Sequence, residues 1–364
     1  MNRNVLHIDT GRTWRGGQQQ VFYLTSGLVE RGVNVILVCP PGSPLAERAA
    51  DAGIKTVEVV MRSEFDICAV ISLRKLISKN NVQLVHAHTA HAHALAAAAC
   101  TLTRGTKCIV TRRVDFPLAT SFLSRLKYSE SGADHFITVS AFVKKVMVEG
   151  GVLPERISVV HSGVDMDRFR NVDGSKVREE FPVGDAPLLG QVGSFVPEKG
   201  HRYSILAMKR ITEYYKDAKL LLPGEGALAD QLHELIEKEN LTGSVIMPGF
   251  RHDMEQLMCA LDVFLMPSSM EGLGTAALDA MAVGVPVVAT NCGGLSESVI
   301  HERTGFVVEP KNSQAIADAV LCLLRHENLA ENLRNGAFRH ISENFSAQSM
   351  IEGNLDAYER VLTE

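Results

Sequence analysis

Two carboxylates stand eight positions apart in Glu271-Gly-Leu-Gly-Thr-Ala-Ala-Leu-Asp279, around a glycine-rich turn that runs on into Ala-Met-Ala-Val-Gly. The apolar run Val263-Phe-Leu-Met266 precedes them as a strand, and the small residues at 273–282 read as a helix. The amides of Gly272, Leu273, Gly274 and Thr275 would then have no partner in the helix ladder and would face an incoming anion. If both acids were helical they would be separated by roughly 80° around the axis, so both can flank one ligand. A nucleotide sugar has the matching size and polarity.

Elements must position these groups, and the chain is long enough for two domains: 364 residues against a usual prior of about 150 per domain. In the first half strand-like runs at 5–9, 33–40, 56–60, 82–88, 107–113, 135–140 and 157–161 alternate with helical stretches such as 18–31, 73–80 and 90–102. That alternation implies βαβ units and a parallel sheet with right-handed crossovers. The chain turns polar between 165 and 187, and the pattern then restarts with strands at 188–193, 219–222, 244–248, 263–266, 286–290 and 305–308. The expected architecture is α/β: a Rossmann-like domain over 1–168, a linker over 169–186, and a second Rossmann-like domain over 187–345. A last helix, 346–364, would pack back toward the first domain.

Composition narrows the classes. The chain is 46% hydrophobic and 22% charged, as in soluble globular proteins, and no apolar run approaches the roughly 18 residues that a bilayer-spanning helix needs. No apolar leader precedes the first strand, and the seven cysteines are odd in number with no C-x-x-C pair; a cytoplasmic protein is expected, with thiols such as Cys39, Cys108 and Cys292 serving as small buried hydrophobes and no chemistry assigned to any. Residues 1–170 carry 21 Lys and Arg against 14 Asp and Glu, and the rest carries 16 against 28. The basic first half suits an anionic leaflet on the inner face of the plasma membrane, or a phosphate-bearing acceptor. Nucleic acid is not expected, because Arg112, Arg113, Arg125 and Lys127 lack aromatic interleaving and no reader motif is present.

Further along the chain Gly16-Gly17 follow the first strand, Ser162-Gly-Val-Asp165 precedes the linker, and Val196-Pro-Glu-Lys-Gly200 follows the first strand of the second domain. Pro223-Gly-Glu-Gly226, Pro248-Gly249-Phe250 and Gly284-Val-Pro-Val-Val-Ala-Thr290 complete the series with the Glu271–Asp279 segment. In this order and at these spacings the chain resembles a retaining GT-B glycosyltransferase of family GT4, the "glycosyl transferases group 1" class, over essentially its whole length. The resemblance implies two domains facing across a crevice, a nucleotide sugar bound mainly by the second and an acceptor by the first. It implies transfer without a metal or other cofactor, the nucleoside diphosphate sugar being a substrate.

It also implies roles. Glu271 would hydrogen-bond the donor sugar, and Asp279, where relatives more often carry Glu, would hold the ribose hydroxyls. Lys199 would meet the diphosphate as a point charge. Relatives often have Gly-Arg-Leu where this chain has Gly193-Ser194-Phe195, so an arginine is missing and Ser194 stands in its place. Arg113 is the replacement expected for it, with Arg112 as alternate on the acceptor side. Gly16 and Gly17 would let the backbone approach the donor phosphate or the acceptor. Glu225 and Phe250 would lie over base and ribose, Phe250 being equally at home in a core. Trp14 is expected exposed in the loop before Gly16.

His88, at a strand end, is expected to meet the acceptor. His86, His88, His91 and His93 are awkward for one tetrahedral metal, being divided between a strand and the following helix, and Asp165-Met-Asp167 is too short a match to signal a metal. The predicted activity is sugar transfer from a nucleotide sugar to an acceptor hydroxyl, in lipopolysaccharide or other cell-surface glycan assembly on a glycan or lipid-linked acceptor. Rival readings are a GT-B nucleotide-sugar 2-epimerase and a degenerate nucleotide-sugar binding protein.

Overall fold

The structure, a computed structural model, describes residues 3–118, 126–129 and 131–363, so Arg125 lies outside it. The chain divides into two compact units, 1–163 with 347–364, and 164–346.

The first unit contains strands β1 (Asn4–Ile8), β2 (Asn34–Cys39), β3 (Thr56–Glu58), β4 (Leu84–Ala87), β5 (Lys107–Arg112), β6 (His135–Thr138) and β7 (Ile157–Val159). They form one sheet in the order β3-β2-β1-β4-β5-β6-β7, every pair parallel. Apolar side chains are buried on both faces, with Leu6, Ile8, Val85 and Phe136 in one cluster and Val5, Leu37, Leu84 and Ile137 in the other. This two-sided burial is why the strands read as nearly continuous apolar runs rather than as alternating ones. The helix Ala347–Thr363 closes the second cluster with Met350, Ile351, Tyr358 and Val361. It lies against helix Gly16–Glu30 so closely that a Cβ on Gly27 would stand 2.2 Å from Ile351 Cδ1.

The second unit contains β8 (Leu188–Gly190), β9 (Lys219–Leu221), β10 (Val245–Ile246), β11 (Val263–Met266), β12 (Val287–Thr290) and β13 (Phe306–Val308), all parallel in the order β10-β9-β8-β11-β12-β13. Its two ends meet: the Val164 amide donates to the Phe345 carbonyl at 2.7 Å. The polar stretch expected as a linker over 169–186 packs inside this unit. Arg178 is the reason, since its guanidinium donates to the carbonyls of Ala260, Gly184 and Ala186 and pairs with Asp262 at 3.2 Å. Gly174 lies flush on the backbone of Ala260, where a Cβ would stand 2.4 Å from its nitrogen.

In both sheets the strand order reverses once, between β1 and β4 and between β8 and β11. Loops leaving the carboxyl ends of these strand pairs diverge, and this is where open α/β sheets place their ligands.

Candidate active site

At the switch point of the second unit the loop after β8 meets the loop after β11. Gln191, 3% exposed, holds the first loop: its Nε2 donates to the Lys199 carbonyl at 2.8 Å, and its Oε1 accepts from Ser204 Oγ at 2.7 Å. Gly200 adopts the left-handed conformation (φ 67°), and a Cβ there would stand 2.1 Å from the Pro267 carbonyl oxygen. Glycine alone permits that approach. The Ser269 amide then donates to the Glu198 carbonyl at 2.7 Å, joining the loops.

On this frame Lys199 Nζ lies 2.6 Å from Glu271 Oε2, the two side chains being 28% and 14% exposed. The structure thus brings the two principal predicted residues into direct contact. Helix Thr275–Val283 begins two residues later than expected, because Gly274 turns left-handed (φ 86°) to cap it. Glu271 consequently lies in the turn and not on the helix, so the helical-wheel relation to Asp279 does not apply. Asp279, in mid-helix, faces Arg168 Nη1 at 3.5 Å instead. Among the described residues the amides of Gly272, Leu273, Gly274, Thr275 and Ala276 have no acceptor, although Gly272, Leu273 and Gly274 are buried. Buried backbone donors are rarely left unpaired, so this turn is built for an anion.

Around it Ser194 is half-buried, and Glu225 is exposed with its carbonyl accepting from the Phe195 amide at 2.8 Å. Phe250 is 47% exposed, edge-on to His252, and does not belong to the core. Arg251 beside it is committed to Glu180 at 2.5 Å and Asp253 at 2.6 Å.

The first unit has its own cluster. Register pairs His7 on β1 with His86 on β4, which places both rings on one face of the sheet. His7 Nδ1 and His88 Nε2 are 2.9 Å apart; Arg113 Nη2 reaches His88 Nδ1 at 3.3 Å and Nη1 donates to the His88 carbonyl at 3.0 Å. A guanidinium only donates, so His88 Nδ1 accepts, its Nε2–H donates to His7 Nδ1, and the proton on His7 Nε2 finds no partner among the described residues. His86 is held by Tyr358 Oη at 2.6 Å and Thr111 Oγ1 at 2.7 Å. Burial pushes His7 down to about 3 and His86 and His88 well below the usual imidazole range, with Arg113 adding to the push on the last two. Burial also lowers Arg113 to about 10, which leaves it charged at neutral pH.

His7, His86 and His88 bring ligand-capable nitrogens within 4.8 Å of one another. Both nitrogens of His86 and of His88 are already engaged, and a guanidinium beside His88 opposes a second cation. His93 is separate, 3.2 Å from the Gly132 carbonyl, and Asp165 caps a turn by accepting from the Asp167 amide.

Two expectations change in the first unit, those for Arg112 and Trp14. Arg112, placed on the acceptor side, is 9% exposed and donates to Tyr128 Oη at 2.6 Å and to the Phe116 carbonyl; strand alternation turns it away from Arg113. Arg113, expected to replace the arginine missing at 194, directs both terminal nitrogens to His88. Trp14 is half-buried, with Phe22 beside it and the Arg48 guanidinium 4.0 Å over its ring. Gly16 and Gly17 do open helix Gly16–Glu30, but a Cβ on Gly17 would meet Arg113 Cδ at an ordinary 3.9 Å. His7, Gln191, Arg168 and Tyr358 escaped the sequence reading, since only strand register or distant packing connects them to the site.

Known proteins resemble this chain in sequence and in fold. A profile described as Glycosyltransferase Family 4 matches residues 14–168, and one described as Glycosyl transferases group 1 matches residues 175–340. The chain belongs to the GT4-type glycosyltransferases. An uncharacterised glycosyltransferase of Methanocaldococcus jannaschii is 31% identical over 230 residues, 61% of this chain and 59% of that relative. The chain therefore matches less than two thirds of that protein's length. A GDP-mannose-dependent alpha-(1-6)-phosphatidylinositol monomannoside mannosyltransferase of Mycobacterium tuberculosis is 28% identical over 271 residues, 70% of each chain. Among solved structures, Anabaena HepE in complex with UDP and glucose has the same fold, with a TM-score of 0.86 and 20% identity over 99% of this chain and 100% of that one. For this glycosyltransferase fold, Lys199, Glu271 and the free amides after Glu271 are gathered at the second unit's switch point.

Proposed function

We propose that the chain is a retaining, metal-independent glycosyltransferase that moves a sugar from a nucleoside diphosphate sugar, bound by the second unit, to a hydroxyl of an acceptor bound by the first. The observation that carries the reading is the row of unpaired amides at Gly272–Ala276 beside the Lys199–Glu271 pair. As the anomeric C–O bond breaks, its electrons pass to the diphosphate, and these amides and Lys199 are waiting for that charge. The acceptor oxygen bonds to the same face of the sugar and its proton passes to the departing phosphate, so no protein base is required. Glu271 releases Lys199 to the diphosphate and accepts from sugar hydroxyls. Among solved relatives HepE holds UDP and glucose, which suits such a donor.

The acceptor we assign to cell-surface glycan assembly, lipopolysaccharide or a similar lipid-linked glycan, reached from the cytoplasmic face. No helix among the described residues is long and apolar enough to cross a membrane. The outer face of helix Ile67–Lys79 nonetheless offers Ile67 (72% exposed) and Ile71, next to Phe65 (74% exposed), followed by the exposed Arg74 and Lys75. Apolar insertion with flanking cations is the chemistry of a peripheral contact with an anionic leaflet. The mycobacterial relative is named for a lipid acceptor, in keeping with this.

Melting curves with UDP, GDP, ADP and dTDP test the donor half, since a nucleotide bound by the folded state raises the transition. Transfer to a glycan acceptor that persists in EDTA, with the anomeric configuration kept, is the expected result. Epimerised donor in the absence of acceptor, or binding with neither transfer nor donor hydrolysis, would overturn it. Sedimentation with phosphatidylglycerol vesicles, weakened by salt and absent with phosphatidylcholine alone, checks the membrane contact.

A further inference from the structure

Asp279 does not stand alone in the second unit. Arg168, on the turn Met166–Phe169, directs Nε and Nη2 to a single oxygen of Glu255, each at 2.9 Å, and Nη1 to Asp279 Oδ1 at 3.5 Å. Glu255 stands in the first turn of helix Met254–Ala260, and the ring of Phe169 lies 4.9 Å from the guanidinium carbon. Three elements thus supply a Glu–Arg–Asp row in which Arg168 is only 16% exposed. Glu255 holds one edge of the planar fork, and this fixes where the remaining nitrogen points. At 3.5 Å the contact with Asp279 is an ion pair too long to consume its lone pairs, so the carboxylate keeps acceptor capacity for a ligand.

We propose that Arg168, clamped by Glu255, is a positioning residue that keeps Asp279 ionised and aimed as the acceptor of the ribose hydroxyls. The proposal rests on the donor site described above and adds to it the group that sets the state of the ribose contact.

Burial pushes Asp279 up to about 6, while Arg168 pulls it down and Glu255 pushes it further up. The side chain remains 23% exposed, so solvent moderates the push. Helix Thr275–Val283 also packs on Glu327–Asn344, β11 and β12, but the charged groups acting on Asp279 are Arg168 and Glu255. The direction follows: a carboxylate accepts from both ribose hydroxyls, a protonated acid loses part of that capacity, and affinity falls as pH drops through the group's pKa. Each unit below it removes about tenfold of the ionised form.

The measurement is the dissociation constant of the full chain for UDP and GDP, and for their 2′- and 3′-deoxy analogues, from pH 5 to 8. Phosphate titration is common to ribo and deoxy forms, so their affinity ratio isolates the ribose contact. In the wild type the ratio should be largest at pH 7–8 and shrink by up to about tenfold at pH 5. Arg168→Gln should move the midpoint to higher pH and cut the ratio at pH 7 at least about fivefold, with Arg168→Lys restoring part of it; Asp279→Asn should make the ratio small and flat. A folded Arg168→Gln protein with the wild-type ratio and pH profile would overturn the proposal alone. Binding of neither nucleotide by the wild type would overturn the donor-site reading and this one with it.

Discussion

Lys199 and Glu271 form an ion pair at 2.6 Å, which on the proposed reading opens when a diphosphate competes for the ammonium. Lys199→Ala should reduce kcat by about 10²–10³ or more while the protein stays folded, the magnitude seen when one donor to developing charge is removed, and Glu271→Ala, which removes the acceptor for the sugar hydroxyls, should abolish transfer in a folded protein. Steady-state transfer rates and circular dichroism check this; full activity in either variant would remove the assignment. The buried histidines predict an acid response of a different kind. His7 titrates at about 3 when folded and near 6.5 as a free side chain, so below pH 6.5 the unfolded chain gains protons that the folded chain refuses. Stability is therefore complete above pH 6.5 and drains as pH falls toward 3. His7→Leu should show a shallower loss of Tm between pH 6.5 and 4, though it begins lower at neutral pH because His88 Nε2–H loses its acceptor at a cost of about 1–3 kcal/mol. An unchanged slope would exclude His7 from the acid response.

Among the elements, the loop after β8 shows how backbone conformation delivers a side chain. Gly200→Ala adds strain at φ 67° and drives a methyl group into the Pro267 carbonyl, so Lys199 must shift with the turn. We expect the variant to lose about 1–3 kcal/mol of stability together with its nucleotide-induced rise in Tm. Parallel strands buried on both faces were readable because they are short apolar runs, and every strand of both sheets overlaps a predicted one, usually with a residue or two trimmed from an end. The Glu271 turn was equally readable, because glycine spacing and a preceding strand are local signals. What stayed hidden depends on partners far away in the chain. His7 was an ordinary strand residue until register set it beside His86, and Arg178 was a linker charge until Ala260 and Asp262 folded beneath it. Arg113 was legible as a cation at a strand end, but its commitment to His88 required side-chain geometry.

At the scale of the whole molecule, the first unit is made from two pieces of chain with residues 164–346 between them. Removing everything after Ser346 strips Met350, Ile351, Tyr358 and Val361 from one core face and leaves His86 without its Tyr358 partner. Calorimetry of that truncation should show the first unit's transition lowered or lost, while the second unit keeps its nucleotide-induced shift; a parallel loss in both would contradict the division. The returning helix also bears on synthesis. The β1–β7 sheet leaves the ribosome early, yet its last covering helix follows 183 residues later, roughly 10–40 s at usual elongation rates. During that interval the face formed by Val5, Leu24 and Ile137 lacks its cover, while the second unit, continuous in sequence, can finish first. The N-terminal half of this chain is thus the last to mature, and on the nascent chain it is the half that a chaperone would find open.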